Sequence, residues 1–215
     1  SREGTRLWSY AFSCHVSAFD ANASIAVFGL VNGDLVILGN NGQEISTTRI
    51  GGSRIEVILG LSLSVSGRYI AVISGIDKQR LVLLEKGQKS YRIIKHKFLD
   101  SEYRHPVRVV VLPEENYIFY NNPKGVSVFG VKNGDDFVLP IPADDFFVYK
   151  GSGQMGLCVV SEFMKERNMF ILRLPKTITG RIRLPAGNSH VAVIGETIYL
   201  DNGNGIAALA LMRDE

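Results

Sequence analysis

His15, His105 and His190 occupy matching places in this sequence, each just before a short β-branched run: His15-Val16, His105-Pro106-Val107 and His190-Val191. Three imidazoles brought to one point could hold zinc, which needs ligand nitrogens at about 2.0–2.1 Å. Two further places of the same kind in the chain carry no histidine, so structural hydrogen bonding or simple exposure is the expected role. No metal and no cofactor are expected.

Arginine is the second group with chemical reach. Arg54, Arg104 and Arg108, with Arg80 and Arg167, fall in or beside segments that read as loops, and Tyr103 and Phe163 stand among them. Guanidinium groups offer bidentate hydrogen bonds and aromatic rings offer contact area, so both concentrate binding energy at protein interfaces. Arg54, Arg80, Tyr103, Arg104 and Arg108 therefore form the candidate partner-binding surface. The competing reading is a solvated surface whose charges pair with Glu56, Glu102 and Glu166. A second basic run, Lys86, Lys89, Arg92, Lys95, His96 and Lys97, lacks the stacking aromatics that single-stranded nucleic acid requires. It reads as charge that blunts an exposed strand edge, with anionic lipid or an acidic protein patch as the alternative contact.

Two carboxyl groups about 5–9.5 Å apart would suit glycoside cleavage. The candidates are Asp20, Glu56, Asp144 and Asp145, although Asp144-Asp145 follows Pro142-Ala143 as a turn would, and Asp20 ends its strand beside Ala21-Asn22. No G-x-S-x-G, P-loop, HExxH or EF-hand pattern occurs, and no catalytic residue is assigned. Cys14 and Cys158 are too far apart in sequence for a CxxC site and could be free or paired. A net charge of +3 is too small for nucleic-acid affinity without a concentrated stripe. Hydrophobic content of 46% against 21% charged is globular usage, and 22 glycines favour a turn-rich fold. No run approaches the ~20 apolar residues of a membrane-spanning helix. The chain starts at Ser1 without a signal sequence, as a trimmed or processed product would.

The elements that must position these residues are short strands. Runs rich in Val, Ile, Leu, Phe and Tyr alternate with Gly/Asn/Asp clusters, and helical periodicity is nearly absent. Residues 16–20, 24–30, 34–38 and 44–50 form a first quartet, joined by Asn32-Gly33 and Asn40-Asn41-Gly42, which read as hairpin turns. Equivalent quartets follow at 57–98, 106–140 and 146–184, and a last set at 189–212 has three strands. The second strand of each set starts at 24, 69, 117, 154 and 197, a repeat of 37 to 48 residues. That is close to the period of a four-stranded propeller blade.

Specific segments carry a resemblance. Leu63-Ser64-Val65-Ser66-Gly67-Arg68-Tyr69-Ile70-Ala71-Val72 is similar to the S-x-x-G-r-y-x-A-V segment of bacterial WD40-like and quinoprotein-like propeller repeats. Gly4-Thr5-Arg6-Leu7-Trp8-Ser9-Tyr10 resembles the G-x-x-L-W-x-Y/F opening of quinoprotein-like repeats, and Asn32-Gly33-Asp34-Leu35-Val36-Ile37-Leu38 their D-G-x-L-x-x-L. Trp-Asp and Gly-His dipeptides are absent, and one Trp occurs where quinoprotein-type repeats have one in most blades. The resemblance implies a blade shape without the quinone cofactor. It also implies that loops entering each inner strand share one face with the loops joining second and third strands. On that face WD40-type repeats bond a His to an Asp, for which Asp77 and Asp201 are suitably placed.

The expectation is an all-β, five-bladed β-propeller, one domain over residues 1–215, with blades near 13–50, 51–98, 99–140, 141–184 and 185–215. Residues 5–12 are expected to supply the outer strand of the last blade and so close the ring. The expected function is a noncatalytic, monomeric scaffold that binds a protein partner through the loop face, with no nucleic acid and no membrane span. Its expected context is an envelope-associated or membrane-tethered protein, periplasmic or extracytoplasmic before cytoplasmic. The alternative is a glycan-binding or glycan-cleaving propeller.

Overall fold

The computed structural model describes residues 5–51, 53–88, 90–100, 102–112, 114, 116–151, 154–163, 166–174, 176–184, 190–194, 197–201 and 204–210. Among them are nineteen strands in five antiparallel sheets, each a simple up-and-down meander. Sheet one contains β1 (Val16–Ala21), β2 (Ile25–Leu30), β3 (Asp34–Gly39) and β4 (Glu44–Arg49). Sheet two contains β5 (Ile58–Leu63), β6 (Tyr69–Ser74), β7 (Arg80–Lys86) and β8 (Tyr91–Phe98). Sheet three contains β9 (Val109–Val111), β10 (Tyr117–Asn122), β11 (Gly125–Gly130) and β12 (Asp136–Leu139). Sheet four contains β13 (Asp145–Gly151), β14 (Gln154–Phe163), β15 (Glu166–Arg173) and β16 (Thr177–Leu184). Sheet five contains β17 (His190–Ile194), β18 (Thr197–Asp201) and β19 (Ile206–Ala210). The five repeats therefore match the expected sets, and no helix among the described residues is long and apolar enough to cross a membrane.

The chain forms two compact units: Ser1–Tyr120 with Phe129–Asp135, and Asn121–Val128 with Asp136–Glu215. In the first, sheet two is covered on both faces. Successive side chains of a strand point to opposite faces, so an uninterrupted apolar run can serve two cores at once. Ile70 and Val72 of β6, with Val82 and Leu84 of β7, meet Val27, Leu35 and Ile37 of sheet one. Their neighbours Tyr69, Ala71, Ile73, Leu81 and Leu83 meet Val109, Val111, Ile118 and Tyr120. All six residues of β6 are buried. Each fully buried aliphatic side chain stabilises by about 1.5–3 kcal/mol relative to exposure.

In the second unit Tyr149, Cys158, Val160 and Met169 of sheet four pack with Ile198, Val191, Val193, Leu200 and Leu209 of sheet five. Both cysteines are free thiols, which settles their pairing. Burial, and to a lesser degree the Asp145 carboxylate, pushes the Cys158 thiol up to about 12.

Residues 5–12 depart from expectation. They form no strand, and β19 pairs with β18 alone among the described residues. The segment is an extended strap on the face of sheet one, where Tyr10, Phe12 and Cys14 pack against Leu30, Val36, Leu38 and Phe28. The alternation that reads as a strand is real, since residues 10, 12 and 14 are half-buried and 11 and 13 exposed. An apolar sheet face, however, satisfies such alternation as well as a ladder does.

Candidate functional site: the loop rim and cavity of the first unit

The loop from Ile50 to Glu56 is fastened to the loop before β7. Asp77 accepts hydrogen bonds from the Ser53 hydroxyl and, at 3.1 Å, from the Arg54 backbone N–H. These bonds, the Ser53 hydroxyl first, hold the Asp77 carboxyl below its ordinary range. The expected histidine partner of Asp77 is thus replaced by a serine and a peptide N–H. Gly75 and Ile76 add backbone bonds to the Val57 and Ile55 carbonyls at 2.9 and 3.1 Å.

Arg80 begins β7, and its guanidinium donates to the Ile50 and Gly51 carbonyls. It is half-buried, and its Nε is buried without a partner among the described residues. Arg80, a candidate for partner binding, therefore ties sheet two to the end of sheet one. Tyr103, another candidate, also turns inward: at 3% exposure its ring belongs to the core between sheets two and three. An aromatic ring stabilises more there than in water, even when its sequence neighbours are polar.

A residue that sequence reasoning passed over fixes Tyr103. Gln79, 2% exposed, donates from its side-chain amide to the Tyr103 carbonyl and accepts from the Tyr103 N–H at 2.5 Å. A buried amide thus pairs with a peptide group in both directions, and the Gln79 carbonyl accepts from Leu99 N–H at 2.9 Å. One glutamine among polar loop residues gives no signal of this in the sequence.

These clamps leave Arg54, Arg104 and Arg108 exposed on the loops that enter β5 and β9. Arg108 also lines a cavity of about 460 Å³ formed by β1, β5 and the approach to β9. Gly60 is required there, because a Cβ would lie 2.1 Å from the Val107 carbonyl oxygen. Polar groups in the cavity wall satisfy one another. Val111 N–H donates to Ser62 Oγ at 3.1 Å, and Asp20 accepts from Ser62 at 3.4 Å and from Leu63 N–H at 2.8 Å. Ala21 N–H closes the remaining carboxylate oxygen of Asp20 at 2.8 Å.

The other carboxylate candidates are also engaged. The Glu56 carboxylate is paired with Arg49 at 2.5 Å and that of Asp145 accepts from Phe146 N–H at 2.8 Å, while the Asp144 backbone N–H bonds the Val160 carbonyl at 2.9 Å. Glu166 pairs with Arg183 at 3.1 Å. Arg167 lies within β15.

His15, His105 and His190 are all exposed. His15 contributes its backbone carbonyl to Val31 N–H at 3.1 Å. The His105 ring stands edge-on to Tyr103, with Nδ1 2.9 Å from the Pro106 carbonyl. His190 lies opposite Asp201 in the β17–β18 ladder. Among the described residues no three His, Cys, Asp or Glu side chains are grouped to hold a metal ion. Of the basic run, Lys95 donates to the Val131 carbonyl and Arg92 pairs with Glu85 at 3.4 Å. Lys89 and the 185–189 loop lie outside the described residues, as does the Phe163 side chain.

The Treponema pallidum (strain Nichols) protein described as uncharacterized is 26% identical over 141 residues, covering 66% of this chain and 37% of that protein. The WD40 domain of SCAP from fission yeast superposes with a TM-score of 0.66 at 11% identity, over 94% of this chain and 55% of that one. The dihydro-heme d1 dehydrogenase NirN, solved in complex with DHE, gives 0.62 at 12% identity, over 89% and 45% of the two chains. This chain thus spans well under two thirds of the length of each. A WD40 domain and a dehydrogenase share the fold, so the fold alone does not choose between binding and chemistry. The model of one family, described as beta-propeller protein, matches residues 1–214, and with five meander sheets at the blade period the chain belongs to that family.

Proposed function

We propose that this chain is a noncatalytic interaction module that binds a protein partner with surface carboxylates through Arg54, Arg104 and Arg108. The observation that supports this most is the clamping of the two loops that carry them. Asp77 holds the Arg54 backbone and Gln79 holds the Tyr103 backbone, so three exposed guanidinium groups project from fixed supports. Rigid placement reduces the ordering cost of association, and arginine is the residue suited to carboxylate recognition. In this reading Arg80 and Tyr103 act beneath the surface, as the parts that hold the loops. A glycan-cleaving reading would need two free carboxylates, and Asp20 and Glu56 are both taken by donors within the chain.

The test is cross-linking and pull-down from the native host with wild type, an Arg54→Glu/Arg104→Glu/Arg108→Glu variant and an outer-strand Arg92→Glu/Lys97→Glu variant on β8. The proposal expects the loop variant to lose a wild-type partner that the outer-strand variant keeps. Loss in the outer-strand variant alone, or retention in both, would overturn it.

A further inference from the structure

The strap at residues 5–14 is held to sheet one by its side chains. Its inward side chains fall at alternate positions, Trp8, Tyr10, Phe12 and Cys14, as an extended chain requires. Yet among the described residues 6–14 make no backbone–backbone hydrogen bond to the sheet beneath. Side chains do the anchoring. The Trp8 indole N–H donates to the Asn40 carbonyl at 3.0 Å, and the Tyr10 hydroxyl donates to Glu44. Phe12 packs on Phe28 with centroids 4.8 Å apart, and Tyr10 lies 5.0 Å from Phe12. Trp8 sits on the turn at Gly42, whose φ of 79° and lack of Cβ make room for the indole ring.

The apolar face does not end where the strap ends. Phe19 of β1 stacks on Phe28 at 6.0 Å and 20°, and is 65% exposed. Trp8 itself is 38% exposed. An aromatic row, Tyr10–Phe12–Phe28–Phe19, therefore runs from covered to open surface within the first unit.

We propose that this face of sheet one is a docking groove for an extended peptide with aromatic side chains at alternate positions, and that residues 5–14 are its resident, displaceable occupant. The strap itself identifies the ligand class, since its aromatic-x-aromatic-x-aromatic register is what the groove holds. Recognition through side-chain pockets without a ladder makes spacing the selective feature, and the uncovered Phe19 extends the groove for a competing peptide. A resident occupant lowers apparent affinity by the fraction of time it leaves the groove open.

Trp8 is the only tryptophan, so its emission reports the strap directly. The probe is a synthetic peptide of residues 5–14 carrying Trp8→Phe and Cys14→Ser, titrated into the full chain. The expected result is a saturable red shift of Trp8 emission, absent with a peptide of the same composition in which the three aromatics are contiguous. A Tyr10→Ala/Phe12→Ala chain should bind the ordered peptide about tenfold tighter than wild type, because its own occupant is weakened. Hydrogen exchange on wild type gives a reading independent of that variant's folding: amides of 6–14 should exchange at least about tenfold faster than those of β3. An unmoved Trp8 signal, equal response to both peptides, or strap protection equal to β3 would overturn the proposal.

Discussion

Asp20 in the cavity and Arg54 on the neighbouring rim are both charged side chains of the first unit, and they are used in opposite ways. Asp20 is consumed by the chain: Leu63, Ser62 and Ala21 supply its donors, and Ser62 in turn serves Val111. Arg54 is held by its backbone, through Asp77, while its guanidinium stays exposed. One region therefore spends its polar groups on joining three inner strands, and the other uses surface bonds to the loop backbone to present a cation. A carboxylate that accepts from three groups is occupied within the chain, whereas an exposed guanidinium on a fixed loop can reach a partner. The difference lies in where each charge is spent, inside the chain for Asp20 and at the surface for Arg54.

That contrast can be broken from its supports outward. The largest stability loss should come from Gln79→Ala, which removes the side-chain amide bonded to the Tyr103 N–H and carbonyl in the core. Removing the partner of a buried polar group costs about 1–3 kcal/mol, so a loss of about 2–5 kcal/mol is expected in denaturant unfolding, together with weaker partner binding. Loss of binding without loss of stability would show that Gln79 is no clamp. Asp20→Ala should come next, at about 1–3 kcal/mol, because Leu63 N–H and Ser62 lose one acceptor at a half-buried site. Partner binding should survive this change, and its abolition would place the binding site in the cavity instead.

Protonation gives smaller effects of known sign. Asp77, Glu44 and Glu85 all have carboxyl groups held below their ordinary range, by Ser53, Tyr10 and Arg68 respectively. Their contribution is present above the unfolded carboxylate pKa and lost as pH falls through the folded values, so the melting temperature should drop on acidification. Asp77→Asn should flatten part of that profile, and an unchanged profile would contradict the loop clamp. Cys158 acts at the other end of the scale. Its thiol is raised from 9.0 to about 12, so the unfolded chain loses that proton first and stability should decline above pH 9. A thiol reagent on native protein should label Cys14 before Cys158, and equal rates would contradict the burial.

The blade pattern was legible in the sequence because hairpin chemistry and period-two alternation are local. Asn32-Gly33 does join β2 to β3, and the continuous apolar run of β6 does mark a strand covered on both faces. The site was legible only in part. Arg54, Arg104 and Arg108 are exposed while Tyr103 and Arg80 turn inward, a division the sequence does not show because a loop's polar neighbours do not say which of its side chains reaches the core. Gln79 was invisible for the same reason, since its role depends on a peptide 24 residues away. The strap was read as a strand because alternation specifies an extended chain against something apolar, and is silent on whether a ladder or a face receives it.

The most direct test of the account is partner affinity across single charge reversals on the rim, measured with the captured partner at two salt concentrations. Arg54→Glu and Arg104→Glu should leave stability within about ±0.5 kcal/mol of wild type, as surface changes do, yet each should weaken binding at least about tenfold. Unchanged affinity in both variants, with folding intact, would contradict the central claim that the clamped arginine loops are the binding surface.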